Sequence, residues 1–238
     1  VAEQLNVKVE DVKVITGDTG HFHWGAGTFA SRGATIAGTA IHNAALLVRQ
    51  KIFETASKFL EVPEDQVELC EGSVCVKGKP EKSIALGDLA SKANPMRGAV
   101  APDVKPGLEA TAYYAPPHGA TGSGACAMIV DVDPETFKVK IERFVLVHDC
   151  GTVINPDMAA GQLESGLSKG AGFALLEDNG WDANGQLLSK GLMVDAKIPG
   201  FEETPCISAV TTYFAHTYEP TGPFGATFLM PDDPSANI

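Results

Sequence analysis

The sequence predicts an α+β fold in which long helices lie on antiparallel sheets, and three observations lead to it. From Thr35 to about Leu60 the apolar residues Ile36, Ala40, Ile41, Ala44, Leu47, Val48, Ile52, Ala56 and Phe59 recur at three- and four-residue steps, with Lys, Arg and Glu between them. That is the period of an amphipathic helix. The stretch ACAMIVDVDPETFKVKIERFVLVHD alternates on both sides of Asp133-Pro134-Glu135-Thr136, which reads as two strands and their turn. The stretch DMAAGQLESGLSKGAGFALLED carries small residues on most faces of a second helix, so that helix can approach another backbone or a bulky ligand closely.

Along the chain, residues 7 to 16 (VKVEDVKVIT) alternate well enough for a strand, and GDTGHFHWGAGTFASRG is rich enough in Gly, Thr and Ser to be a loop feeding the long helix. VELCEGSVCVK, residues 67 to 77, reads as two short strands around a Glu71-Gly72 turn. Ser83 followed by IALGDLASKA reads as a short capped helix. From Asn94 to His118 the chain carries five of its fifteen prolines and two tyrosines, the composition of an extended linker. The expected organisation is therefore two α+β subdomains, residues 1–100 with a glycine-rich loop and residues 101–238.

Composition narrows the function. With 238 residues, 44% hydrophobic and 20% charged, the chain can bury a sizeable core, and no apolar run reaches the roughly 20 residues of a membrane span. A net charge of −12 with scattered basic residues leaves no footprint for nucleic acid or an anionic membrane. Five cysteines, an odd number set mostly in apolar stretches, suit a reducing, cytoplasmic compartment better than a disulfide framework. The absence of CxxC and HExxH gives little support to a zinc or iron–sulfur site built by this chain alone. Val1 in place of Met raises the expectation of a fragment or a processed subunit.

Two loops carry candidate chemistry. Gly25-Ala26-Gly27-Thr28-Phe29-Ala30-Ser31-Arg32-Gly33 lies between a predicted strand and a helix start, where backbone N–H groups can bind an anion; a plain glycine-rich connection fits the same residues. A dinucleotide fingerprint is weaker, because its third glycine is missing. The second loop runs from Val147 through His148-Asp149-Cys150-Gly151-Thr152-Val153-Ile154-Asn155-Pro156 to a helix that opens near Gly161-Gln162. Asp149 and Asn155 read more naturally as turn formers than as catalysts, Cys150 reads as a buried small hydrophobe, and His148 has no obvious triad partner.

Taken together, GTFASRGATIAGTAI, PGLEATAYYAPP, DVDPETFKVKIERF, HDCGTVINP and GQLESGLSKGAGFALLED occur in the order and spacing of molybdenum hydroxylase large subunits. The chain resembles that family, which includes xanthine dehydrogenase, aldehyde oxidase and aerobic CO dehydrogenase, over nearly its whole length, and HDCGTVINP followed by GQLE is the most specific element. The resemblance implies the second molybdopterin-binding domain of such a subunit. It implies a molybdopterin cofactor with Mo, the cytosine dinucleotide form being one option, and FAD and [2Fe-2S] clusters on partner domains or subunits. It also implies three kinds of partner: the remaining part of the large subunit, an FAD subunit and an iron–sulfur subunit. The implied reaction is hydroxylation of a small molecule, an aldehyde, an N-heterocycle or CO, with water as the oxygen source. By the same resemblance the loop of Gly27, Thr28, Phe29, Ala30 and Ser31 approaches the metal with backbone N–H groups, and Gln162 contacts the pterin.

The chain also departs from the pattern. The family continues from Pro-Phe-Gly-Ala into a glycine-flanked glutamate that acts as general base, whereas here Pro223-Phe224-Gly225-Ala226 leads to Thr227-Phe228-Leu229-Met230-Pro231, and Pro231 at the base's position transfers no proton. Asp232 and Asp233 follow without the flanking glycines. A further pterin loop of the family would lie before Val1. The sequence therefore sets two expectations side by side: part of a molybdenum hydroxylase that is inactive when isolated, or a catalytically silent structural subunit or truncated fragment.

Overall fold

The apolar stripe that begins near Ile36 folds as a π-helical turn, Ala34–Gly38, running directly into a 22-residue helix, Thr39–Leu60. The computed structural model describes residues 1–21, 25, 27–29, 31–95, 105–119, 122–178, 180–189 and 191–227. They divide into two units: Val1–Thr28 with Ile36–Ala115, and Phe29–Thr35 with Pro116–Ile238.

In the first unit a single helical turn, α1 (Ala2–Leu5), precedes the long helix, α2 (Thr39–Leu60). Three antiparallel strands follow, β1 (Val67–Cys70), β2 (Ser73–Val76) and β3 (Lys79–Ala85), and then α3 (Leu86–Lys92). Ile52, Ala56 and Leu60 of α2 pack on Val67, Val74, Val76 and Leu89. Only the C-terminal half of the α2 stripe is used in this way. Ile41, Leu46 and Leu47 remain exposed. The β1–β2 turn uses Glu71 and Gly72, both at positive φ (39° and 78°), which is the twist a two-residue hairpin turn requires.

Several expectations are corrected here. Residues 7 to 16 form no strand: Val9–Asp11 is a 3-10 turn, and Val14 is 71% exposed. Alternation alone does not make a strand when no neighbour supplies the ladder. Ser83 caps no helix, because it lies inside β3 opposite Cys75, and α3 begins after Ala85 without a side-chain cap. The cysteine count pointed away from disulfides, yet Cys70 is joined to Cys75, while Cys126, Cys150 and Cys206 are free thiols. Residues 105–119 of the proline-rich stretch form no helix or strand.

The second unit holds the predicted hairpin, β4 (Ser123–Val132) and β5 (Val139–Asp149), paired antiparallel with a bulge between Ile129 and Val130. At its tip the Asp133 carboxylate accepts from the Glu135 and Thr136 amides at 2.8 and 3.2 Å, and Phe137 takes a left-handed φ of 58°. Helix α4 (Pro156–Leu175) places Leu163 and Leu167 on Phe144 and Leu146 of β5. It opens at Pro156 rather than near Gly161. A sixth strand, β6 (Val210–Ala215), pairs with β5 in parallel. The second sheet is therefore mixed rather than purely antiparallel. Among the described residues no helix is long and apolar enough to cross a membrane.

Candidate functional site

The glycine-rich loop is shaped by its backbone. Gly27 sits at φ 68° and Ser31 at φ 51°, both left-handed. The Arg32 amide donates to the Phe29 carbonyl at 3.3 Å, and the Arg32 guanidinium lies 3.7 Å from the centre of the Phe29 ring. Phe29 is held by these contacts while 60% exposed. A Cβ at Gly27 would meet nothing within 4 Å, so it is the positive φ that calls for glycine there and not crowding by this chain. Directly after the loop the hydroxyl oxygens of Thr35 and Thr39 are buried with no hydrogen bond among the described residues. Gly27 and Thr28 belong to the first unit, Phe29 and Ser31 to the second. Ala30 lies outside the described residues.

The HDCGTVINP segment is explained almost wholly by its own architecture. Phe144, Leu146 and His148 of β5 and Cys150 directly after it alternate inward, which buries His148 and Cys150. Burial pushes the Cys150 thiol up, as expected for a small hydrophobe and not for a nucleophile. Burial also pushes the Asp149 carboxyl up. The Gly151 amide and the Thr217 hydroxyl and amide outweigh that push, together with a smaller charge effect from His148, and hold it below the usual carboxylate range. The amide distances are 2.9 Å from Gly151 and 3.3 Å from Thr217. Asn155 caps α4, its side-chain oxygen accepting from the Met158 amide at 3.1 Å, and Pro156 occupies the first helical turn.

A second stretch of chain locks onto this turn. Gly151 bridges Ala226, the Thr152 amide donates to the Gly225 carbonyl at 2.9 Å, and the Thr227 amide donates to the Cys150 carbonyl at 2.9 Å. The Thr152 hydroxyl donates to the Phe224 carbonyl at 2.8 Å. Gly151 has φ 68°, and a Cβ there would come within 2.2 Å of the Gly225 oxygen. Glu219, whose carboxyl is held low by the Thr221 hydroxyl and amide, turns the chain into the clasp. Sequence reasoning missed Thr152, Thr217 and the 217–227 partner segment, since pairing across some seventy residues leaves no local signal. Pro231, Asp232 and Asp233 lie outside the described residues.

Gln162 lies on α4 immediately before the buried Leu163. Its neighbours anchor the helix, yet Gln162 itself is exposed and makes no side-chain hydrogen bond among the described residues. A primary amide presents one acceptor and two donors in a plane, so a ligand ring edge with the complementary pattern can pair with it.

The profile of the molybdopterin cofactor-binding domain matches residues 1–205. The chain is 35% identical over 227 residues to the carbon monoxide dehydrogenase large chain of Hydrogenophaga pseudoflava, covering 94% of this chain and 28% of that protein. It is 32% identical over 204 residues to the nicotine 6-hydroxylase large subunit of Paenarthrobacter nicotinovorans, covering 86% of this chain and 25% of that subunit. Among solved structures, quinoline 2-oxidoreductase from Pseudomonas putida 86 superposes with a TM-score of 0.79 at 31% identity, covering 100% of this chain and 30% of that one. The chain thus spans less than a third of the length of each of these proteins.

Proposed function

The chain belongs to the molybdopterin cofactor-binding domain family, and from that premise we propose that it supplies part of the cofactor cradle of a molybdenum hydroxylase. Its residues fit such a group. Phe29 and Ser31 lie at the entry to a helical run, a setting that favours anionic oxygen. The buried hydroxyl oxygens of Thr35 and Thr39, which follow in sequence, have no hydrogen-bond partner among the described residues. Gln162 offers an unengaged planar amide, the complement of a pterin edge. When bound, the cofactor supplies the two-electron redox chemistry that moves an oxygen from water to an electron-poor carbon. The contribution proposed for this chain is to bind and orient: Phe29 and Ser31, with Ala30 by the family resemblance alone, would supply backbone donors, Gly27 and Thr28 would shape the approach, and Gln162 would fix the ring.

The substrate class, an aldehyde, an N-heterocycle or CO, belongs to this proposal, as do partners that carry FAD and [2Fe-2S] clusters. No role in proton transfer is proposed for the described residues, since by the family resemblance the general-base position falls at Pro231. That substitution is what favours the second reading, a cofactor-holding but catalytically silent part.

The observation that carries the proposal is Gln162, exposed and without a side-chain hydrogen bond among the described residues, on a helix that is otherwise well anchored. The test is Gln162→Ala in the assembled protein, with molybdenum and pterin content measured beside the urea midpoint. A loss of cofactor at unchanged stability is expected. Full cofactor content in the variant would remove Gln162 from the site. Dye-linked oxidation of benzaldehyde, a purine and CO by the cofactor-loaded assembly then separates an active hydroxylase from the silent reading.

A further inference from the structure

One cluster of donor atoms lies apart from the loops and plays no part in the proposed cradle. Successive residues of a strand point to opposite faces. Val67 and Leu69 of β1, with Val74 and Val76 of β2, face the core against α2. Glu68 and Cys70 therefore share the other face, and Cys75 lies on it too, directly opposite Glu68 in the ladder. A Glu68 carboxylate oxygen and the Cys70 and Cys75 sulfurs all lie within 4.8 Å of one another, and Cys75 Sγ is 3.9 Å from Glu68 Oε1.

As a staple the Cys70–Cys75 bond adds little. A cross-link stabilises chiefly by closing a long loop in the unfolded chain, and this one spans five positions of a hairpin that is already paired. Four ladder pairs set the register of β1 on β2. The Gly72 amide donates to the Asn6 carbonyl at 2.8 Å and the Leu86 amide to the Gly72 carbonyl at 3.0 Å. Nor does a disulfide need a carboxylate beside it. Two sulfurs and a carboxylate on one face do form the ligand set of a thiophilic divalent cation.

We propose that Glu68, Cys70 and Cys75 form a binding site for a thiophilic divalent cation of the Zn2+ class, open when the two thiols are reduced and closed when they join as a disulfide. The Cα atoms of Cys70 and Cys75 are 6.3 Å apart, which a disulfide spans and which also leaves room for two sulfurs about 2.3 Å from a shared ion. Cys75 is 1% exposed and Glu68 is exposed, so the ion enters from the carboxylate side and water completes its tetrahedron there. The steps balance. A dithiol reductant attacks one sulfur, passes through a mixed disulfide and leaves as its own cyclic disulfide, delivering two electrons and two protons to Cys70 and Cys75. Binding of the cation then releases both thiol protons, and two thiolates with one carboxylate hold the dication with one net negative charge.

The test uses the full chain, reduced with a phosphine, freed of reductant under anaerobic conditions and titrated with Zn2+ against a chromophoric chelator, with Co2+ as the spectroscopic probe. One equivalent of Zn2+ and a thiolate-to-Co2+ charge-transfer band are expected in the reduced chain, and neither after oxidation to the disulfide. Glu68→Gln, at an exposed position that leaves the fold intact, is expected to weaken Zn2+ binding by at least the roughly tenfold that loss of an outer-shell partner costs. The Cys70→Ser/Cys75→Ser double variant is expected to bind no Zn2+; if it does not fold, the oxidised wild-type chain is the folded negative control. Three results overturn the proposal: no Zn2+ bound by the folded, reduced chain; equal binding by the reduced and oxidised forms; or undiminished binding by the double variant, which assigns the ion to Cys126, Cys150 or Cys206.

Discussion

Replacing Gly151 by alanine tests the clasp that joins the HDCGTVINP turn to residues 217–227. Alanine at φ 68° costs about 1 kcal/mol for the left-handed backbone alone. The added Cβ would lie 2.2 Å from the Gly225 carbonyl oxygen, whereas ordinary carbon–oxygen contact starts at about 3.3 Å. The partner segment therefore has to withdraw by about an ångström. That motion breaks the bonds from the Thr152 and Thr227 amides, both 2.9 Å, and from the Thr152 hydroxyl, 2.8 Å. At about 1 kcal/mol each, the three losses and the backbone strain bring the expected destabilisation to roughly 3–5 kcal/mol, a large part of the roughly 5–15 kcal/mol of a typical domain. The assay is urea unfolding of the full chain followed by circular dichroism, with hydrogen exchange at the Thr152 and Thr227 amides as the local readout. An unchanged midpoint together with unchanged protection at both amides would refute the reasoning.

Three further outcomes follow from the same unit. Gly161→Ala, inside α4 with nothing within 4 Å of the new Cβ, is expected to raise stability by about 0.5–1 kcal/mol in the same urea assay. Asn155→Ala removes the cap of α4 and is expected to cost about 1 kcal/mol, measured as a lower midpoint with loss of protection at the Met158 amide. Asp149 has a folded-state pKa below its unfolded value of about 3.8, so its contribution is fully present above that value and is lost as pH falls through the depressed folded value. Comparing urea midpoints from pH 7 down to pH 3, the wild-type chain is expected to lose more stability than Asp149→Asn, and parallel curves would count against the hydrogen bonds assigned to that carboxylate.

The legible parts of the fold were those governed by local period and turn chemistry. The 34–60 helical run, the β1–β2 turn at Glu71-Gly72 and the β4–β5 hairpin at Asp133-Pro134 all announce themselves within a dozen residues. What failed had the right local signal but no partner, or the wrong one. Residues 7 to 16 alternate yet join no sheet, and Ser83 resembles a cap but is held in β3 by Cys75 across the ladder. The parallel placement of β6 and the meeting of Gly151 with Ala226 depend on distant residues and have no local trace. The candidate site divides in the same way. Asp149 and Asn155 were readable as turn formers, and the structure gives each a hydrogen bond of that kind. Gly27 has a backbone reason to be glycine that the sequence did not show, a positive φ of 68° in surroundings that this chain leaves open.

The parallel pairing of β6 with β5 also bears on the order in which the second unit assembles. An antiparallel hairpin closes over a few residues, but parallel neighbours need a long crossover. Here Val210 meets Phe144 only after roughly sixty residues have intervened, α4 among them. The β4–β5 hairpin and the seating of Leu163 and Leu167 on it are comparatively local and can form early. Strand β6 and then residues 217–227 must wait until the long excursion has been gathered in. Until they arrive, β5 presents one unpaired edge ending at His148 and Asp149, so a nascent chain halted before Val210 leaves the motif-bearing strand open to pairing with whatever strand is nearest.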